Sequence, residues 1–109
     1  MKSGYLYIIS NPSFPGFLKI GVTENIEARL RTYQTSDPKR AYKVEFYIQH
    51  PDCYEAEKRI KEMMKYFSTD TIQRGEWFKC ELSVAIVRLQ ETLTDFEEGL
   101  YSRMENIIS

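Results

Sequence analysis

Near its N-terminus this 109-residue chain carries two short runs of aromatic and β-branched residues, separated by a segment that cannot continue a strand. The first run is Tyr5-Leu6-Tyr7-Ile8-Ile9-Ser10 and the second is Phe17-Leu18-Lys19-Ile20-Gly21-Val22; between them lies Asn11-Pro12-Ser13-Phe14-Pro15-Gly16, dense in turn formers. A parallel pairing would need a crossover of a dozen residues or more, so this spacing predicts an antiparallel hairpin over residues 5–22. Alternation then places Tyr5 and Tyr7 on one face and Leu6 and Ile8 on the other. Tyr7 belongs to the wetter face, because the opposite one is wholly aliphatic.

The remaining elements follow from periodicity. Thr23 is the expected cap of a helix that starts at Glu24, carries Ile26, Leu30 and Tyr33 at i, i+4 and i+7, and ends near Gln34. After a polar loop, alternation of Val44, Phe46 and Ile48 with Lys43, Glu45 and Tyr47 predicts a third strand over 42–49. A long helix is expected over 54–67 with Ala56, Ile60, Met63 and Phe67 inward, and Glu55, Lys58, Arg59, Glu62 and Lys65 facing water. Residues 76–80 form a short extended piece in which Trp77 and Phe78 plug the core. Ser83 then caps a last helix bearing Val84, Val87, Leu89, Leu93 and Phe96.

The chain is long enough for one core and too short for two. The element order predicts an α/β domain of the α+β sandwich kind, with a small central antiparallel or mixed sheet of about three strands flanked by helices. The domain is assigned to residues 1–96, and residues 97–109 to an acidic tail with helical spacing that offers a surface for self-association as a homodimer. No apolar run approaches the roughly 18 residues of a membrane span and no signal peptide is evident. The expected setting is the cytoplasm, a host's cytoplasm if the chain is viral, with no membrane partner. His50, Cys53 and Cys80 lack a fourth ligand for a zinc site, so the cysteines are read as reduced thiols.

Net charge is −1, but residues 1–66 hold 11 Lys or Arg against 8 Asp or Glu, while residues 67–109 hold 4 against 8. The positive charge sits with the N-terminal elements. Arg29 emerges beside the apolar stripe of its helix, and the residue at i−4, where an acid could pair with it, is Asn25. An unpaired, partly buried arginine is poised for an external anion.

The strand–strand–helix–strand–helix order, with Tyr5-Leu6-Tyr7 in the first strand and Lys19-Ile20-Gly21 in the second, resembles the GIY-YIG endonuclease superfamily. The first motif's tyrosine falls on Tyr7, the second motif's glycine on Gly21 and the superfamily's helix arginine on Arg29, with Tyr33 completing the helix pattern. Ala56-Glu57 and Gly75-Glu76-Trp77-Phe78 further resemble a phage and bacterial branch whose second motif reads Lys-Ile-Gly. The resemblance spans roughly residues 4 to 80. Lys19 stands where most of the superfamily has tyrosine, and Lys61 where this branch often has histidine.

The resemblance implies a metal-dependent DNA endonuclease that hydrolyses phosphodiester bonds with one Mg²⁺ or Mn²⁺. Tyr7 would be the base, Arg29 the phosphate stabiliser and Glu57 the metal ligand, with Lys19 lowering the Tyr7 pKa across the hairpin. Tyr5, Gly21, Tyr33, Lys61 and Glu76 are supporting candidates. Glu57 and Lys61, at i and i+4, also suit a plain helix-surface ion pair. Two other functions stay open: a catalytically inactive nucleic-acid-binding module on the same fold, and a protein-interaction module that uses the tail.

Overall fold

The computed structural model describes residues 2–68, 71, 72 and 77–108, the side chains of 71, 72 and 99–108 excepted. Gly75 and Glu76 lie outside the described residues. Strands β1 (Gly4–Ser10) and β2 (Phe17–Thr23) form the expected hairpin, pairing Tyr5 with Thr23, Tyr7 with Gly21 and Ile9 with Lys19. The turn is built by Asn11: its side-chain oxygen accepts from the Ser13 amide at 2.9 Å and its carbonyl from the Phe14 amide, before Gly16 takes a φ of 83°. A short polar side chain that bonds two residues ahead, then a residue free of a Cβ clash, reverse the chain at little cost.

Helix α1 (Ile26–Thr35) begins later than the sequence suggests. Thr23 ends β2 instead of capping; its hydroxyl accepts from the Asn25 amide at 3.2 Å, and Asn25 becomes the cap, accepting from the Ala28 amide at 3.0 Å. Asn25→Ala is therefore expected to lower stability by about 1 kcal/mol, whereas Thr23→Val leaves the helix start in place. Denaturant titration of the two variants checks this.

Strand β3 (Lys43–His50) pairs antiparallel with β1, and helix α2 (Cys53–Phe67) follows a turn in which the Asp52 amide donates to His50 Nδ1. The two-residue β4 (Thr71–Ile72) and β5 (Trp77–Lys79) complete the sheet, and α3 (Leu82–Ile108) runs through the segment that sequence reading sets apart as a tail. Five strands lie in the order β3-β1-β2-β5-β4, with every pairing antiparallel. The α+β class stands. The count of three strands omits β4 and β5, which are too short to show a period.

One face of the sheet carries the core. Leu6, Ile8, Leu18, Ile20, Val22 and Phe78 meet Ala56, Ile60 and Met64 of α2 and Ala85, Leu89 and Leu93 of α3. Arg59 lies over the Phe96 ring and Arg88 over Phe67, so α2 and α3 run antiparallel. Two inward stripes differ from expectation. The α2 stripe ends on Met64, leaving Phe67 exposed; the α3 stripe follows Ala85, Leu89 and Phe96, leaving Val84 and Val87 outside. Arg59, expected in water, packs its guanidinium on an aromatic face instead.

The other face bears Tyr5, Tyr7, Lys19, Gly21 and Trp77, as register dictates. None of the residues of α1 is fully buried, and Ile26, Leu30 and Tyr33 are half-covered. Among the described residues β5 pairs with β2 only along Phe17–Lys19, so the far half of β2 keeps an open edge.

Candidate functional site

Tyr7 points away from the core, and its ring lies flat across Gly21 on the neighbouring strand: a Cβ added at Gly21 would come within 2.5 Å of Tyr7 Cζ. The tyrosine is 2% exposed. Its face was identified correctly from alternation, but it is not wet, because Gly21 lets the ring lie down and Tyr33 covers it edge-on with the centroids 6.3 Å apart. The two hydroxyls are hydrogen bonded at 3.0 Å.

Arg29 from α1 and Glu57 from α2 both lie close enough for their charges to act on the Tyr7 hydroxyl, in opposite senses. Burial, the bond to Tyr33 and the Glu57 carboxylate push its pKa well above the ordinary phenol value, while the Arg29 guanidinium pulls it down. The expected influence of Lys19 on Tyr7 takes a different form. Register sets Lys19 opposite Ile9, and its ammonium lies 5.4 Å from the Tyr33 ring centre and 5.9 Å from that of Trp77. Lys19 thus lies over the ring of Tyr33, the residue that is hydrogen bonded to Tyr7.

Arg29 is exposed, not partly buried, and among the described residues no acid forms an ion pair with it. Glu57 forms the helix-surface pair anticipated for it, 3.4 Å from Lys61 Nζ, with both side chains half-buried. Tyr5 is set apart from this group, edge-on to Tyr47 at 6.0 Å.

Sequence reading missed an aromatic floor beside Lys19. Phe14 and Trp77 lie 5.1 Å apart, Tyr42 and Trp77 6.4 Å, and Tyr33 and Tyr42 5.0 Å. Phe14 sits in a turn, and Tyr42, expected to open the third strand, lies in the loop just before β3, so the strand's alternation does not report its face. The loop is held by Asp37, whose carboxylate accepts from Asn11 Nδ2 and from the Lys39 and Ala41 amides. These bonds, the backbone ones foremost, hold its pKa below the usual carboxylate value.

Among the described residues no three His, Cys, Asp or Glu side chains cluster to hold a metal, so Glu57 would be joined by few protein ligands to any ion. Glu57 is half-buried and paired with Lys61, which an incoming cation would have to displace.

Fold and site together define a small α+β domain in which the charges of an arginine and a carboxylate, from two helices, bear on a buried tyrosine hydroxyl. The T5orf172 domain family matches residues 4–93, and the chain belongs to that family. Membership points to a nuclease-like or DNA-binding role. No curated protein and no solved structure matches the chain. Among the described residues no helix is long and apolar enough to cross a membrane.

Proposed function

We propose that the domain is a GIY-YIG-type DNA endonuclease that hydrolyses phosphodiester bonds with the help of one Mg²⁺ or Mn²⁺. The reading is supported by family membership over residues 4–93 together with the placement of Tyr7, bonded to Tyr33 on the sheet face opposite the core, with the Arg29 and Glu57 charges near its hydroxyl. Hydrolysis needs a base for water, a cation for the charge on the phosphoryl oxygens and a carboxylate for the metal.

In this reading Arg29 binds and orients the scissile phosphate; being exposed, it can reach a substrate that stays outside the fold. The Tyr7 oxygen accepts the proton of the attacking water as the new P–O bond forms and the bond to the leaving sugar oxygen breaks. Glu57 would hold the ion, which when bound supplies positive charge that favours ionised oxygens nearby and stabilises the leaving oxygen. Tyr33 orients the Tyr7 hydroxyl, and Lys19 lies over the Tyr33 ring.

The expected result is that wild-type protein nicks or cuts DNA in Mg²⁺ or Mn²⁺ and not in EDTA, and that Glu57→Gln raises the metal concentration needed for half-maximal rate by roughly tenfold or more. Gel assays on plasmid, linear and branched DNA across a metal titration check this. A second reading, a DNA-binding module without hydrolysis, is favoured by the upward shift of Tyr7 and the Glu57–Lys61 pair. Salt-sensitive DNA binding by wild type with no cleavage of any substrate would select it.

A further inference from the structure

Arg29 also lines a cavity to which Tyr7 and Glu57 do not contribute. Along α1, Asn25, Ala28, Arg29 and Thr32 fall on one face, and along α2 Tyr54 lies one turn before Glu57 on the side that carries it. Between these rows is an open cavity of about 510 Å³ to which Arg29, Ala28 and Thr32 contribute from α1, Tyr54 from α2 and Lys2 from the chain before β1. Its width comes from small or folded-back residues: Ala28 has no reach, and the Thr32 hydroxyl is turned onto the Ala28 carbonyl at 3.1 Å.

Two groups in it have no part in the chemistry proposed above. The Tyr54 ring is 49% exposed, an aromatic face open to solvent at the mouth of the cleft. Lys2 is fixed beside it, because its carbonyl accepts from the Cys53 amide at 3.0 Å at the start of α2, and its ammonium stands 5.9 Å from the Tyr54 ring centre. Glu24 pairs with that ammonium at 2.9 Å and keeps it charged. Both partners are exposed, so the pair is weak and the ammonium can change an exposed carboxylate for a phosphate.

We infer that this cleft is a subsite for the nucleotide adjacent to the scissile phosphate, with its base against the Tyr54 ring and its own phosphate on Lys2. The inference rests on the nuclease reading, since Arg29 sets the position of the neighbouring phosphate. A ring at the mouth of a groove can stack only on a base that is free of its partner, so the occupant is an unpaired nucleotide of DNA.

The test is the affinity of the full chain for a short single-stranded DNA, and for a sugar-phosphate strand of equal length without bases, measured by fluorescence anisotropy in EDTA over a salt series. Tyr54→Ala is expected to weaken binding to the base-bearing strand by roughly 5- to 150-fold with little effect on the abasic one, while Tyr54→Phe, which keeps the ring, binds like wild type. Lys2→Ala should reduce the steepness of the salt dependence by about 0.7, one phosphate contact on a single strand. Thermal melts confirm that these surface variants fold. If Tyr54→Ala and Lys2→Ala bind as wild type while Arg29→Ala is weakened, the subsite is wrong and the nuclease reading is left to the cleavage assay. If wild type itself binds neither strand and cuts no DNA in that assay, both fall.

Discussion

Gly21→Ala is expected to cost about 1–3 kcal/mol of stability, through one added methyl group. The new Cβ would stand within 2.5 Å of Tyr7 Cζ, with the hydroxyl closer still. Real carbon contacts are well beyond that, so the ring must lift or the strands must part. Neither is easy. Tyr7 sits on an interior strand, paired with Gly21 on one side and Tyr47 on the other, and its hydroxyl is tied to Tyr33. For a domain near this size the loss corresponds to a fall in Tm of roughly 5–20 °C.

The same substitution should disturb the site as well as the fold, since a displaced ring carries the hydroxyl away from Tyr33, Arg29 and Glu57. A double-mutant cycle separates this cause from a general dislike of a side chain at Gly21. In a Tyr7→Ala background the space above residue 21 is vacated, and Gly21→Ala should then be nearly neutral. Equal destabilisation in both backgrounds would show that the glycine serves the backbone and not the tyrosine.

How far the sequence foretold this site depends on the range of the interactions concerned. The hairpin was legible because alternation and an Asn-Pro-Ser-Phe-Pro-Gly turn are local, and the same alternation put Tyr7 opposite the aliphatic core correctly. Whether that face is wet is not local. It depends on Tyr33, 26 residues away, and on Gly21 having no side chain, neither of which alternation in β1 registers. Helix faces failed for a related reason: Met63 and Phe67 fit a 3.6-residue period as well as Met64, and the position of α3 decides which is covered. The cap went to Asn25 because Thr23 was still bonded in the β ladder. Lys19 shows the limit most plainly, since a hairpin brings it near Tyr7 in outline but register directs it to Tyr33 and Trp77. The Glu57–Lys61 pair, four residues apart on one helix, was within reach of sequence reasoning throughout.

On the nuclease reading, Arg29→Ala should reduce cleavage by at least 10²- to 10³-fold, the usual cost of one preorganised donor to developing charge. Two effects act in the same direction. Arg29 is the side chain suited to the scissile phosphate, and it is also the cation that lowers the Tyr7 pKa against burial, Tyr33 and Glu57. Losing it weakens phosphate binding and leaves the phenol still more reluctant to ionise. Arg29→Lys keeps a charge but not the planar fork, and should recover only part of the rate. Tyr7→Phe removes the hydroxyl while keeping the ring on Gly21, so it should fold and bind DNA yet cleave little. The pH profile ties these variants to one mechanism. A base pushed above its ordinary value is mostly protonated at neutral pH, so wild-type rate should climb about tenfold per pH unit between roughly pH 6 and 9 without a plateau from Tyr7. Residual activity in Tyr7→Phe should lose that slope. A wild-type profile flat over the same range, or a Tyr7→Phe variant that cleaves at the wild-type rate, would remove Tyr7 from the role of base and leave Arg29 as an anchor for DNA alone.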